Sequence, residues 1–249
     1  MTSRTLFNPN IEGDPFFWEG GPVGALLLHG FTATTAEVRP FAKKLLQAGY
    51  TVAAPLLAGH GTTPDELNCT PWQAWVESAE AVYRNLANRC EKVFVVGESA
   101  GGVIALYLAG DHPEISLLVL ATPALKLNLS PLQQLEVRLL APFVTGLPKP
   151  NLDDTTGWQG YRVNPLKGVL QLIALEKVVT ARLERVTQPL QIFLGRHDTT
   201  IDPRSGEIIL NNVCSRVKEM IWMEHSGHCV LLDSELDSVA EKALGFIRG

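Results

Sequence analysis

Residues 93–102 read Val-Phe-Val-Val-Gly-Glu-Ser-Ala-Gly-Gly, and this stretch decides the fold. Positions 93–96 are an uninterrupted apolar run, the pattern of a strand covered on both faces. Gly97-Glu98-Ser99-Ala100-Gly101 then matches G-x-S-x-G, and 102–109 has helical character. Strand, pentapeptide, helix is the order that holds a serine on a strained turn with positive φ at the end of a sheet. Gly97 and Gly101 would let strand and helix pass closely without a Cβ clash. Ser99 is therefore the candidate nucleophile. With Gly and Ser each near ~7% of residues, about 0.1 chance matches are expected in a chain of this length, so the flanking strand and helix carry the assignment.

Working outward, 23–28 is a short apolar run that ends at His29-Gly30-Phe31 and reads as a buried strand. Residues 37–48 place Val38, Phe41, Leu45 and Leu46 on one helical face before Gly49. A strand follows at 51–54, and 57–66, with Gly59-His60-Gly61, reads as a loop. Thr70-Pro71 resembles an N-cap followed by proline at the first helical position of a helix reaching about residue 88. The helix after Ser99 ends before Pro113, and 117–120 is another strand. Strands and helices thus alternate from 23 to 121, which predicts an α/β fold with a parallel, doubly wound sheet.

From 123 to 186 the alternation fails. Residues 130–144 look helical, 145–163 are rich in Pro, Gly, Asn and Asp, and 165–186 look like one or two further helices. This segment is expected to be a helical cap, 123–186, inserted in a core made of 1–122 and 187–249. The sheet resumes at 190–195, followed by a helix at 203–210, a strand at 217–223 and a final helix at 234–247.

Bulk properties exclude several classes. The 249 residues suffice for one large domain, and the net charge of −5 with no basic run excludes a nucleic-acid footprint. No apolar run reaches membrane-spanning length. Residues 1–9 lack an apolar h-region, so no signal peptide and a cytoplasmic location are expected. Cys69, Cys90, Cys214 and Cys229 are widely spaced with no C-x-x-C pair and are expected to be free thiols. No metal-ligand spacing occurs, and neither metal nor cofactor is expected.

A serine hydroxyl needs a base, and the base needs an orienting acid. In a strand-order fold of this kind the acid and the histidine follow the serine, on loops after late strands. Asp198, in Gly195-Arg196-His197-Asp198, fits the acid position; Asp202, before Pro203, is its rival and reads as the cap of the next helix. His228 and His225 both follow the strand 217–223, and Gly227 gives His228 a flexible neighbour. His197, His60 and His112 read as a residue turned away, a loop residue and a helix-end residue. The oxyanion amides are assigned to Ala100, after the nucleophile, and Phe31, in the loop after the first core strand. The Phe31 ring would wall an acyl pocket, and the His29 side chain would pack the strand end.

Five motifs in order carry a resemblance: Leu-Leu-His-Gly-Phe-Thr (27–32), Leu-Ala-Gly-His-Gly-Thr (57–62), Gly-Glu-Ser-Ala-Gly-Gly (97–102), His-Asp (197–198) and Ser-Gly-His (226–228). Together they resemble the α/β-hydrolase superfamily, and within it the small bacterial monoacylglycerol lipases and carboxylesterases. The resemblance implies a Ser99–Asp198–His228 triad, oxyanion amides at Phe31 and Ala100, and a cap over an apolar acyl channel. It implies hydrolysis of short- to medium-chain acyl esters, with monoacylglycerols among them, and transient contact of the cap with a lipid surface. Two positions depart from the family pattern. Ala100 stands where relatives commonly carry Met or Gln. Trp158 stands near the place of an acidic cap residue that bonds glycerol hydroxyls, and an indole accepts no such bond. A general carboxylesterase preference is therefore favoured over strict monoglyceride selectivity. Cleavage of another bond type (C–C or peptide) on the same fold, and a non-catalytic ligand-binding role, are the alternatives.

Overall fold

The structure, a computed structural model, describes residues 6–149 and 157–249. Two short strands, β1 (Leu6–Phe7) and β2 (Phe16–Trp18), precede the first core strand, β3 (Val23–Leu28). A 3-10 turn over Thr35–Glu37 leads into α1 (Arg39–Gln47), then β4 (Thr51–Ala54), α2 (Pro64–Cys69) and α3 (Trp72–Ala87). The central unit is β5 (Lys92–Glu98) followed by α4 (Ala100–Asp111) and β6 (Leu118–Ala121). Between β6 and the next core strand lie α5 (Pro131–Leu140), β7 (Gly146–Pro148), β8 (Gly160–Tyr161), β9 (Val163–Pro165), α6 (Leu166–Thr180) and a 3-10 turn over Leu183–Arg185. The chain closes with β10 (Leu190–Gly195), α7 (Ser205–Asn212), β11 (Lys218–Met223) and α8 (Leu236–Arg248).

The main sheet has seven strands in the order β11-β10-β6-β5-β3-β4-β2. Every pairing is parallel except that of β2 with β4. The continuous apolar runs follow from this: helices cover both faces. One face packs Leu26, Leu28 and Val95 against α3 and α4 through Trp75, Tyr83 and Ile104. The other packs Ala25, Leu27, Phe94 and Val96 against α1 and α8 through Phe41, Leu45 and Val239. Helix α4 is buried almost all round, as its unbroken apolar sequence requires. The register aligns Leu28 with Gly97, Glu98 with Ala121 and Gly195 with Met223, so the loops after β3, β5, β10 and β11 leave from one edge.

Several local expectations need correction. The helix expected over 37–48 starts later, because Thr34 caps a separate 3-10 turn and Pro40 sits in the first turn of α1. The loop expected over 57–66 ends in α2, whose N-cap is Thr63, accepting from the Glu66 N–H at 3.2 Å. Thr70 is therefore not an N-cap: its hydroxyl donates to the Glu66 carbonyl at 2.7 Å and closes α2 instead. The segment 123–186 contains short strands as well as helices. Its strand β8 pairs with β1, and Gly160 bridges Ala33, so its returning limb is stitched to the N-terminal strand and to the loop after β3. Positions 150–156 of the expected loop, and residues 1–5, lie outside the described residues. Among the described residues no helix is long and apolar enough to cross a membrane. All four cysteines are free thiols.

Candidate active site

Ser99 has φ 54° and ψ −116°, a backbone that a non-glycine residue adopts at a cost of about 1–3 kcal/mol. The neighbours hold it there. A Cβ on Gly97 would lie 2.4 Å from the Gly101 carbonyl oxygen, and one on Gly101 would lie 2.1 Å from the Leu28 carbonyl oxygen. Both positions exclude a side chain so that β5 can turn into α4 beside β3. The Ser99 N–H donates to the Ala121 carbonyl at 2.9 Å, and its own carbonyl accepts from Gly102 and Ala124. The serine is 7% exposed.

The structure brings Ser99, His228 and Asp198 into one chain of hydrogen bonds. His228 Nδ1 is 2.7 Å from Asp198 Oδ2, and His228 Nε2 is 2.9 Å from Ser99 Oγ. With the aspartate acceptor-only, Nδ1 carries the proton and Nε2 is free to accept from the serine. Asp198 Oδ1 accepts from the Thr200 and Ile201 N–H groups at 2.7 and 3.3 Å, which orients the carboxylate at the end of β10. A Cβ on Gly195 would lie 1.9 Å from the Gly227 carbonyl oxygen, so acid loop and histidine loop run in contact. Thr122 Oγ1 donates to the His228 carbonyl at 2.7 Å, while Asp233 and Glu235 accept from Gly227, Ser226 and His225. Ligand-independent bonds thus fix the loop on both sides of the imidazole.

The rivals go elsewhere. Asp202 is engaged by Arg204 at 2.6 Å and Lys126 at 2.8 Å, and the Arg204 bonds hold its carboxyl well below the usual carboxylate range. His197 is exposed. His112 ends α4 and pairs with Glu80 and Glu114 at 2.8 and 2.9 Å. His29 is buried, donating from Nδ1 to the Gly30 carbonyl and accepting the Leu57 N–H at Nε2. Burial lowers it to about 4, so it stays neutral and braces the loop that follows β3. His60 is likewise buried and stands edge-on to His29 and Phe31.

That loop crosses directly over the serine: a Cβ on Gly30 would lie 3.1 Å from Ser99 Cβ. Among the described residues no acceptor is paired with the N–H of Phe31 or of Ala100. The Phe31 ring packs near Trp75 and against α6, where a Cβ on Gly168 would come within 2.8 Å of it. It also borders an apolar cluster of Val137, Ala141, Leu166, Val169 and Ile173 from α5, the residue after it, and α6.

Two carboxyls in the site have no counterpart among the sequence expectations. Glu98 is fully buried and accepts the Leu231 N–H at 3.0 Å through Oε1, leaving Oε2 without a partner among the described residues. Glu37, 3% exposed, accepts the Gly30 N–H at 2.5 Å, the Trp158 indole N–H at 3.1 Å and the Cys229 thiol at 3.7 Å. Burial pushes both carboxyls up, Glu98 most strongly because Glu37 also repels its ionised form. Glu37 reads as a solvated residue at a helix start; Glu98 follows the apolar run 93–96 and Gly97, directly before Ser99, and that setting was a usable signal of burial. Trp158 is 8% exposed, lies against Phe7, and carries the Lys149 ammonium over its ring at 4.2 Å. Desolvation lowers Lys149 to about 8, and its ammonium donates to Thr32 Oγ1 in the loop after β3.

Comparison with known proteins places this geometry in context. A family described as serine aminopeptidase, S33, matches residues 24–235. The chain is 35% identical over 244 residues to a thermostable monoacylglycerol lipase of Bacillus sp. (strain H-257), covering 96% of each. It is 31% identical over 241 residues to a carboxylesterase of Bacillus subtilis (strain 168), covering 95% of this chain and 97% of the relative. A solved structure reported under LipS and LipT, two metagenome-derived lipolytic enzymes, superposes with a TM-score of 0.88 at 33% identity, covering 95% of this chain and 97% of that one.

Proposed function

We propose that this chain, which belongs to the serine aminopeptidase S33 family and has the α/β-hydrolase fold, is a serine hydrolase of carboxylic esters. The observation that carries the reading is the unbroken sequence Asp198–His228–Ser99, at 2.7 and 2.9 Å, beneath a loop whose Phe31 amide is unpaired among the described residues. Ser99 attacks the ester carbonyl as His228 Nε2 takes its proton. Asp198 keeps the imidazole in the tautomer with Nδ1 protonated and stabilises the cation that forms. The Phe31 and Ala100 amides hold the tetrahedral oxyanion, the term that usually contributes most to such catalysis. His228 then protonates the leaving alcohol, and water repeats the cycle on the acyl-enzyme.

The substrates we assign are short- to medium-chain acyl esters, monoacylglycerols among them. The apolar cluster beside Phe31 supports an acyl site between α5, α6 and the sheet edge. We assign to 123–186 the role of a cap over that site, and to Trp158 the place facing the leaving group. An indole can only donate, and here its N–H is engaged by Glu37, so Trp158 offers glycerol hydroxyls no acceptor. This supports a general carboxylesterase preference. The outward side of α5 and the turn after it expose Leu132, Leu135, Leu139 and Phe143, at 67%, 49%, 63% and 86%. At helical spacing they form one stripe, which supports transient contact with a lipid surface.

The test combines labelling with turnover. A fluorophosphonate should label the parent on Ser99 and leave Ser99→Ala unlabelled, and the parent should hydrolyse p-nitrophenyl butyrate. Labelling without ester turnover would point to the non-catalytic alternative, and turnover confined to amides would point to another bond type.

A further inference from the structure

Glu37 takes no part in the triad, yet three parts of the site meet at its carboxylate. Oε2 accepts the Gly30 N–H, one residue before the Phe31 amide. Oε1 accepts the indole N–H of Trp158, on the inserted segment, and faces the thiol of Cys229, the residue after His228. All three partners are donors. A carboxylate is acceptor-only and satisfies them together, and the Gly30 N–H and the indole N–H can do nothing but donate. Burial pushes Glu37 up, but of the two buried carboxyls it is the one whose partners stabilise the carboxylate form. Glu98, with one donor and a bare oxygen, is pushed up further by burial and by the neighbouring Glu37.

The surroundings agree with that division. The Lys149 ammonium lies near enough to Glu37 to favour its charge, whereas the charged residues acting on Glu98 are the carboxylates Glu37, Asp198 and Asp233. A buried charge held only for stability is a poor device, since an apolar side chain of similar volume often serves as well. A buried charge that accepts from a catalytic loop has a use that an apolar group lacks, because it fixes the direction of the loop's peptide groups.

We propose that Glu37 is a positioning residue: its carboxylate sets the oxyanion loop through Gly30 and ties that loop to the insert through Trp158 and to the histidine loop through Cys229. The inference rests on the serine ester-hydrolase reading and deepens it. Misplacing an oxyanion donor weakens binding of the tetrahedral state and leaves ground-state binding of the ester unchanged.

The experiment measures kcat and KM on p-nitrophenyl butyrate, and the inhibition constant of butylboronic acid, for the parent, Glu37→Gln, Glu37→Asp and Trp158→Phe. Butylboronic acid bonds to the serine oxygen and places a tetrahedral oxygen in the oxyanion hole. The Gln variant presents an amide N–H to a donor, so its kcat should fall by ~10–100-fold, with KM within twofold and boronate affinity falling in parallel. Trp158→Phe keeps an aromatic side chain and removes one donor, and should show a smaller loss of the same kind. Glu37→Asp keeps the charge and should lie between the Gln variant and the parent. Should the Gln variant fail to fold, Trp158→Phe decides the matter. Folded variants with parental kcat and boronate affinity, or a kcat loss with unchanged boronate affinity, would overturn the proposal while the parent's ester turnover left the hydrolase reading intact. A parent without ester turnover would overturn both.

Discussion

Gly30 and Ser99 are in near contact: a Cβ on Gly30 would stand 3.1 Å from Ser99 Cβ and 2.9 Å from Glu37 Oε2. The loop that carries the Phe31 amide thus rests on the serine with no room for a methyl group. Gly30→Ala should lift the loop away from Ser99. Overpacking of this kind costs about 1–3 kcal/mol, and an ångström of misplacement costs about 10²-fold in rate. Turnover of p-nitrophenyl butyrate should fall by about that factor in a protein that still unfolds cooperatively. Parental kcat in the alanine variant would show that the loop does not set the reaction geometry.

Asp198 acts on the serine only through His228. Asp198→Asn keeps the shape but presents an amide N–H to Nδ1, which drives the imidazole into the tautomer that donates toward Ser99. Such a change costs about 10⁴-fold in kcat in another serine triad. Asp202→Asn, which loses ion pairs with Arg204 and Lys126, should leave kcat near parental. Steady-state kinetics of the two variants side by side checks this, and a larger loss from the residue-202 variant would reverse the assignment.

Much of this site was legible because the motif residues are local. The elbow, the core strands β3 to β6 and the late strands β10 and β11 announce themselves through apolar runs bounded by glycine. What escaped depends on remote partners. Phe16–Trp18 is three residues long and becomes a strand only by pairing antiparallel with β4. The strands in 146–165 pair with one another or with β1 across distances that no local pattern encodes. Glu37 is illegible for the same reason: its partners Gly30, Trp158 and Cys229 come from three separate segments. Helix α2 was within reach, since Thr63-Pro64 is a capped start that the adjoining Gly59-His60-Gly61 turn obscured.

Glu176 gives the fold a pH dependence. It is 9% exposed on α6, Oε1 has no partner among the described residues, and desolvation raises its carboxyl to about 8. Between the unfolded value near ~4.3 and about 8, the folded state holds a proton that the unfolded state has lost. Stability therefore falls as pH rises through that window. Glu176→Gln removes the titration. Thermal unfolding at pH 5 and pH 8 should show the variant gaining on the parent at the higher pH, and a constant difference between them would contradict this.

The exposed stripe of α5 predicts a separation between chemistry and surface binding. Replacing Leu132, Leu139 and Phe143 together with serine should leave turnover of soluble p-nitrophenyl butyrate within about twofold, because all three are well exposed. Sedimentation with phosphatidylcholine vesicles should be reduced. Equal vesicle binding by parent and variant would remove the stripe from the account.

The central claim is that Ser99 becomes acylated. Enzyme in excess over p-nitrophenyl butyrate, quenched in acid within the first turnover and digested, should yield the peptide containing Ser99 carrying a butyryl group, and Ser99→Ala should yield none. A butyryl group on another residue, or ester hydrolysis by Ser99→Ala at the parental rate, would contradict the account.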